Sequence, residues 1–239
     1  MSMGAWRDLS SLPLFWPGMT LLVYLASLRL YRHFNSHPLL LPVLVGVAAI
    51  IMLMQLTGTP YQVYAEKTAF LTLMIGPATV ALAVPLYGQW ARLKRLWQPL
   101  LVALLAGSAT AVVSAVGIAW WLGASLETVR SLAPRAATMP IAMDVAAVTG
   151  GLPSFTTVAV ALTGVSGAMF TFGLLRMLGV RDPAVQGFAM GLNAHAIGTA
   201  RAFQEGDTAG AFSALGMGLN GIATALLVPL VLSLLGLLG

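Results

Sequence analysis

The chain has 239 residues, 59% hydrophobic and 8% charged, with a mean hydropathy of +0.90 and a net charge of +5. A soluble domain carries about 25% charged residues, so this stock cannot build a water-solvated surface. Twelve Lys and Arg against seven Asp and Glu, with no basic cluster interleaved with aromatics, exclude a nucleic-acid partner, and the absence of cysteine excludes disulfide and thiol chemistry.

Apolar segments run over 12–30, 38–56, 64–90, 97–122, 134–150, 153–177, 184–203 and 208–238. Most have the length of a bilayer crossing, about 17–25 residues. Short connections and the lack of a linker predict one integral membrane domain over 1–239. The first run is longer than a signal-peptide core and is read as a retained helix. Arg29, Arg32 and His33 follow it; Arg92, Lys94 and Arg95 follow the third segment; Arg176 and Arg181 follow the sixth. Trp90, Trp97, Trp120 and Trp121 fall at predicted ends, where interfacial aromatics sit.

The positive-inside rule puts 29–37, 91–96 and 176–183 in the cytoplasm and the N-terminus outside. That is consistent only if one intervening segment fails to cross. The segment 134–150, short and carrying Arg135, Pro140 and Asp144, is the expected re-entrant element. The fold class expected is therefore an all-α polytopic membrane protein of seven or eight apolar segments. Segments 38–122 and 153–238 form inverted units, each with an interrupted middle segment. The interruptions fall at Gly76-Pro77 and at Asn193-Ala194-His195. Asp182-Pro183 predicts an N-cap with proline at the first helical position, and Asp207 or Thr208 caps the last helix. Gly187 and Gly191 form a GxxxG for close helix approach.

Three elements carry candidate chemistry. At Gly76-Pro77-Ala78-Thr79, a half-helix starting at the proline would leave the amides of Ala78 and Thr79 free for an anion, with the Thr79 hydroxyl as a further donor. A proline kink satisfied by a neighbouring helix is the competing reading. At 134–140, Arg135 and Thr138 precede a helix start at Pro140. Arginine suits bidentate carboxylate binding, against the alternative that it snorkels to the interface. At 191–201, Asn193 and Thr199 supply hydrogen bonds, and the ordinary pKa of a histidine would allow proton coupling near neutrality at His195. A polar helix–helix contact is the alternative there. Gly164-Val165-Ser166-Gly167-Ala168 misses the nucleophile elbow at its last position and is read as packing. No nucleophile, metal or paired-carboxylate signature appears, so neither enzymatic activity nor a cofactor is expected.

With those residues in hand, the sequence resembles the LrgB/CidB family of bacterial membrane proteins. Residues 76–87 match that family's GPATVALAVPLY, 134–143 resemble its PKSVTTPIAM, and 191–200 resemble its GTASHAIGTA. The pattern continues through Gly210-Ala211-Phe212-Ser213 and Met217-Gly218-Leu219. Arg135 stands for the family's lysine, and Ala136 and Ala194 stand for its serines. The resemblance implies a multi-pass protein of the bacterial inner membrane. Two functions follow from it: movement of small organic anions of the pyruvate, glycolate, glycerate and lactate class, related plastid translocators moving glycolate and glycerate and some bacterial members being linked to pyruvate, or antiholin-like modulation of murein hydrolase export and autolysis.

The favoured reading is a secondary transporter of a small organic anion. Its substrate-binding residues are Gly76, Pro77, Thr79, Arg135, Thr138, Asn193, His195 and Thr199, coupled to a proton or a sodium ion, in a homo-oligomer within the lipid bilayer. The alternative is an antiholin-like or holin-like modulator acting with a small LrgA/CidA-type membrane protein.

Overall fold

The structure, a computed structural model, describes residues 12–34, 37 and 40–238. Residues 35, 36, 38 and 39, in the expected loop 29–37 and at the head of segment 38–56, lie outside the described residues. So do residues 1–11, on which the expected outward N-terminus falls. The described residues are helical and contain no strand. Chains rich in apolar runs satisfy their backbone inside each segment, because lipid offers no partner. Two compact units result, Met1–Ala81 and Leu82–Gly239.

The first unit holds α1 (Phe15–His33), α2 (Pro42–Thr57), α3 (Tyr61–Lys67), α4 (Ala69–Leu73) and α5 (Ile75–Ala81). Pro42 opens α2 and Gly58, at φ 62°, closes it, as an αL glycine does at a helix end. With Pro60 next, α3 leaves at 120° to α2. The bend carries Tyr64 to α1, where its ring meets Trp16 edge-on at 5.5 Å and its hydroxyl lies 3.0 Å from Thr20 Oγ1.

The second unit holds α6 (Ala83–Gly88), α7 (Trp90–Trp121), α8 (Leu126–Leu132), α9 (Met139–Val148), α10 (Pro153–Met177), α11 (Pro183–Glu205) and α12 (Asp207–Leu234). Helices α7, α10 and α12, of 32, 25 and 28 residues, are long and apolar enough to cross a bilayer. Among the described residues four stretches meet that standard, or five if α2 and α3 form one bent span. The other segments of the expected seven or eight include α8–α9 and α11, which turn back instead of crossing.

Residues 91–96 are not a loop. No glycine or proline interrupts 90–98, and Arg, Lys and Leu are good helix formers, so α7 starts at Trp90. Trp97 consequently sits about two turns inside the helix; Trp90, Trp120 and Trp121 mark its exposed ends. Arg92 Nη2 reaches Asp182 Oδ2 at 2.7 Å, which puts 91–96 and 176–183 at the same end of this unit, as the charge distribution required.

Asp182 also caps α11, accepting from the amides of Ala184 (2.8 Å) and Val185 (3.3 Å). Burial pushes its carboxyl up, but the hydrogen bond from Arg92, the two amides and the Arg92 charge together hold it below the usual carboxylate range. Its contribution to stability is therefore complete above an ordinary pKa of about 3.9 and disappears as pH falls through the depressed value. Asp182→Ala is expected to lower stability by about 1 kcal/mol, mostly through the lost cap. Asp182→Asn is expected to keep the cap and lose the acid dependence; thermal melts at neutral and acid pH check both. The final helix departs from expectation. Gly206 occupies the N-cap of α12, and no side chain caps it.

Helix α11 is a hairpin. Straight, it would separate Gly187 from Phe203 by about 24 Å, yet both meet the same turn of α12. A Cβ on Gly187 would strike the Ala209 carbonyl, and one on Gly210 would strike the Phe203 ring. The reversal falls at His195, at φ 40° and ψ −132°. Limb 183–194 runs inward and limb 196–205 returns. The base is tied at the C-terminal end of α10, where Arg176 Nη2 meets Glu205 Oε2 at 2.6 Å and Gln186 Nε2 donates to Val180 O at 2.7 Å.

Helices α8 and α9 form a second hairpin from the opposite end. Leu152 N donates to Ser131 Oγ (2.7 Å) and Thr156 Oγ1 donates to Ser131 O (2.9 Å), which fixes its base beside the start of α10. The expected re-entrant element at 134–150 is thus present. The ten residues of α9 rise only about 15 Å, half a hydrocarbon core.

Candidate functional site

The tips of the two hairpins meet inside the second unit. His195, at the tip of α11, is buried, and its Nε2 lies 3.1 Å from Val160 O, partway along α10. A carbonyl only accepts, so Nε2 carries the proton and a neutral imidazole keeps Nδ1 as an acceptor. Gly164 makes room for this ring: a Cβ there would stand 2.5 Å from His195 Cε1 and 2.8 Å from Nε2. Gly167 does the same for Ala194, at 2.7 Å from its Cβ. The glycines read as packing are packing, and what they pack is the histidine tip. A non-glycine residue at such φ and ψ stores about 1–3 kcal/mol of strain.

The other tip lies close by. Ala137 and Ala142 pack on Val160, the residue whose carbonyl receives His195. Arg135 is half-buried beside them, with no side-chain hydrogen bond or ion pair among the described residues. Thr138 is the N-cap of α9, and its hydroxyl makes no cap bond, so it remains available.

The remaining predicted residues play varied parts. Asn193, exposed at the α11 tip, donates through Nδ2 to Thr171 Oγ1 at 3.1 Å. Thr199 is buried on the returning limb. Its hydroxyl bonds His195 O (2.9 Å) and lies 3.0 Å from Ser213 Oγ, tying that limb to α12. The GxxxG of the inward limb works as predicted: Gly187 and Gly191 lie against the Ala209 and Ser213 carbonyls. Gly76, Pro77 and Thr79 belong to the first unit, and the expected free helix end is absent there. Helix α5 begins at Ile75, one residue before the glycine, and the Ala78 amide donates to Met74 O at 3.0 Å. The Thr79 hydroxyl donates to Ile75 O at 2.7 Å. Pro77 falls within the first turn, where its missing N–H costs little, so the preceding turn reaches across it.

Asn220 escaped the sequence reading. It is buried on α12, donates through Nδ2 to Ala136 O (2.8 Å) and Leu192 O (3.1 Å), and accepts at Oδ1 from Ser108 Oγ of α7 (2.7 Å). The signal was a lone amide within an apolar spanning segment, a residue type that in membranes marks function or packing. Among the described residues no cluster of three or more His, Cys, Asp or Glu could hold a metal ion.

This arrangement defines a class: a multi-pass helical membrane protein in which two re-entrant hairpins enter from opposite ends and meet. A profile described as the LrgB-like family matches residues 20–234, and the chain belongs to that family. It is 35% identical over 215 residues to the Bacillus subtilis (strain 168) protein YwbG, covering 90% of this chain and 95% of that one. It is 32% identical to a Haemophilus influenzae protein, with 91% and 94% covered. It is 28% identical to the antiholin-like protein LrgB of Bacillus mycoides, with 94% and 97% covered. No solved structure matches.

Proposed function

We propose that this protein is a secondary transporter of a small organic anion, of the pyruvate, glycolate, glycerate and lactate class, in the bacterial inner membrane. The meeting of two opposed re-entrant tips carries the reading. Discontinuous elements that converge from opposite sides are how many transporters hold a substrate between alternating exits. Arg135 supplies the permanent cation for a carboxylate, Thr138 and Asn193 supply hydrogen bonds, and His195 supplies the group that takes up or passes a proton. No bond of the substrate is made or broken on this reading.

Uptake of labelled pyruvate, glycolate and lactate into proteoliposomes tests it. Arg135→Ala is expected to lower uptake by tenfold or more, on the order of the 1.4 kcal/mol that one charge-assisted contact contributes. Arg135→Lys is expected to retain part of it. No uptake above empty vesicles refutes transport, and full activity in Arg135→Ala refutes the carboxylate role.

A second reading is favoured by the names of several relatives, antiholin-like protein LrgB. It is an oligomeric modulator of murein hydrolase export and autolysis, acting with a small LrgA/CidA-type partner and holding no specific substrate. That reading predicts altered lysis timing or nonselective dye leakage, unchanged by His195→Ala.

A further inference from the structure

Interrupting a helix deprives the carbonyls before the break of their partners four residues on, and hydrocarbon supplies no substitute. Both hairpin tips create this problem, at Leu192 before the His195 reversal and at Ala136 in the turn before α9. One side chain answers both. The two Nδ2 hydrogens of Asn220 are divided between Ala136 O at 2.8 Å and Leu192 O at 3.1 Å. Its Oδ1 is occupied by the Ser108 hydroxyl at 2.7 Å. Asn220 is 1% exposed and Ser108 1%, so water does not compete for these bonds.

We propose that Asn220 is the positioning residue that couples the two tips, with Ser108 bracing its amide. An amide group is planar, and both donated bonds come from one nitrogen. A shift of either tip therefore leaves an amide hydrogen or a carbonyl unpaired in an apolar interior, or turns the amide and disturbs the other tip. Ser108 on α7 removes the freedom of the amide to turn. The Arg135–Thr138 side and the Asn193–His195 side are thereby held at one spacing by a residue that touches no substrate. The spacing arm of this proposal stands on geometry alone; the kinetic arm rests on the transport reading above.

The chain has no cysteine, so a labelled pair needs no background removal. Ala147 and Ala200 are exposed on α9 and α11; spin labels on Ala147→Cys and Ala200→Cys report the distance between the hairpins. With Asn220 intact a single narrow distribution is expected. Asn220→Asp, which keeps the shape and loses the paired donors, is expected to broaden it or split it in two. Ser108→Ala is expected to broaden it partly. Thr224→Val is the control. Thr224 lies one turn further along α12, is buried, and its hydroxyl has no hydrogen-bond partner among the described residues, so this change should leave the distribution narrow.

In unlabelled proteoliposomes Asn220→Asp should raise the KM for the transported acid, pyruvate or glycolate, by about tenfold, the factor that 1.4 kcal/mol represents. It should lower kcat less. An unchanged distance distribution in Asn220→Asp overturns the proposal, as does equal broadening in Thr224→Val, which would mean general packing damage. If Asn220→Asp fails to give a monodisperse protein, Ser108→Ala decides: a distribution as narrow as the parent's overturns it. If the parent protein transports neither acid, the transport reading fails, and the distances alone judge the coupling.

Discussion

His195→Gly is expected to fold more stably than His195→Ala, and both are expected to lose uptake of small organic acids by about a hundredfold, the lower range for a positioned proton-transfer group. Each variant loses the same imidazole, the same bond to Val160 O and the same contact with Gly164. They differ in backbone alone. At φ 40° and ψ −132°, alanine bears the full strain of about 1–3 kcal/mol, whereas glycine adopts the conformation freely. Glycine gives back part of that through the entropy of its unfolded chain, about 0.4–1 kcal/mol. The net difference expected is roughly 1 kcal/mol, read as a few degrees in thermal unfolding in detergent. Equal stability would show that the tip is unstrained, and normal uptake in either variant would remove His195 from the mechanism.

Gly191→Ala is expected to be among the most damaging single methyl additions in the molecule. The added carbon would meet the Ser213 carbonyl and stand 2.8 Å from the Met217 amide. All of these are backbone, so no side chain can swing aside and the inward limb must lift from α12. Overpacking of this kind costs about 1–3 kcal/mol, and the upper end is expected here. The lifted limb also draws Leu192 O away from Asn220. Gly76→Ala provides the contrast. Nothing lies within 4 Å of a Cβ at Gly76, and alanine favours a helix over glycine. Gly76→Ala should leave the melting temperature unchanged or raised, and comparison of the two melts checks both statements. A Gly191→Ala protein as stable as its parent would mean that α11 and α12 are not in close contact.

Much of the architecture was legible because it follows from local rules. The apolar runs, their proline and glycine boundaries, and the lack of charge prescribe a helical membrane protein. The positions of arginines required one element between the fourth and sixth segments to turn back, and α8–α9 does. Asp182-Pro183 announced the start of α11, and Gly187 with Gly191 announced its close contact. The family motifs pointed to the His195 stretch. Helix α7 was misjudged because cationic residues read as a loop when hydropathy alone is weighed, although their helix propensity carries α7 through them. The Gly76-Pro77 stretch misled for a related reason. Gly-Pro marks a helix start in general, but here α5 begins two residues before the proline and uses it inside its first turn.

What the sequence determined by itself is the class of molecule, the family, and the two polar interruptions that matter, because composition, periodicity and capping act within a few residues of each other. What only the tertiary structure decided is how those interruptions meet. Whether a polar stretch kinks, crosses or reverses depends on partners far along the chain. Residues 193–195 reverse because Gly164, Gly167 and Val160 O on α10 receive them. The tip at Ala136 is held by a carbonyl bond from a residue 84 positions away. Asn220 shows this most directly: in the sequence it is one amide in an apolar run, and its three bonds to α7 and the two tips exist only once the helices are packed.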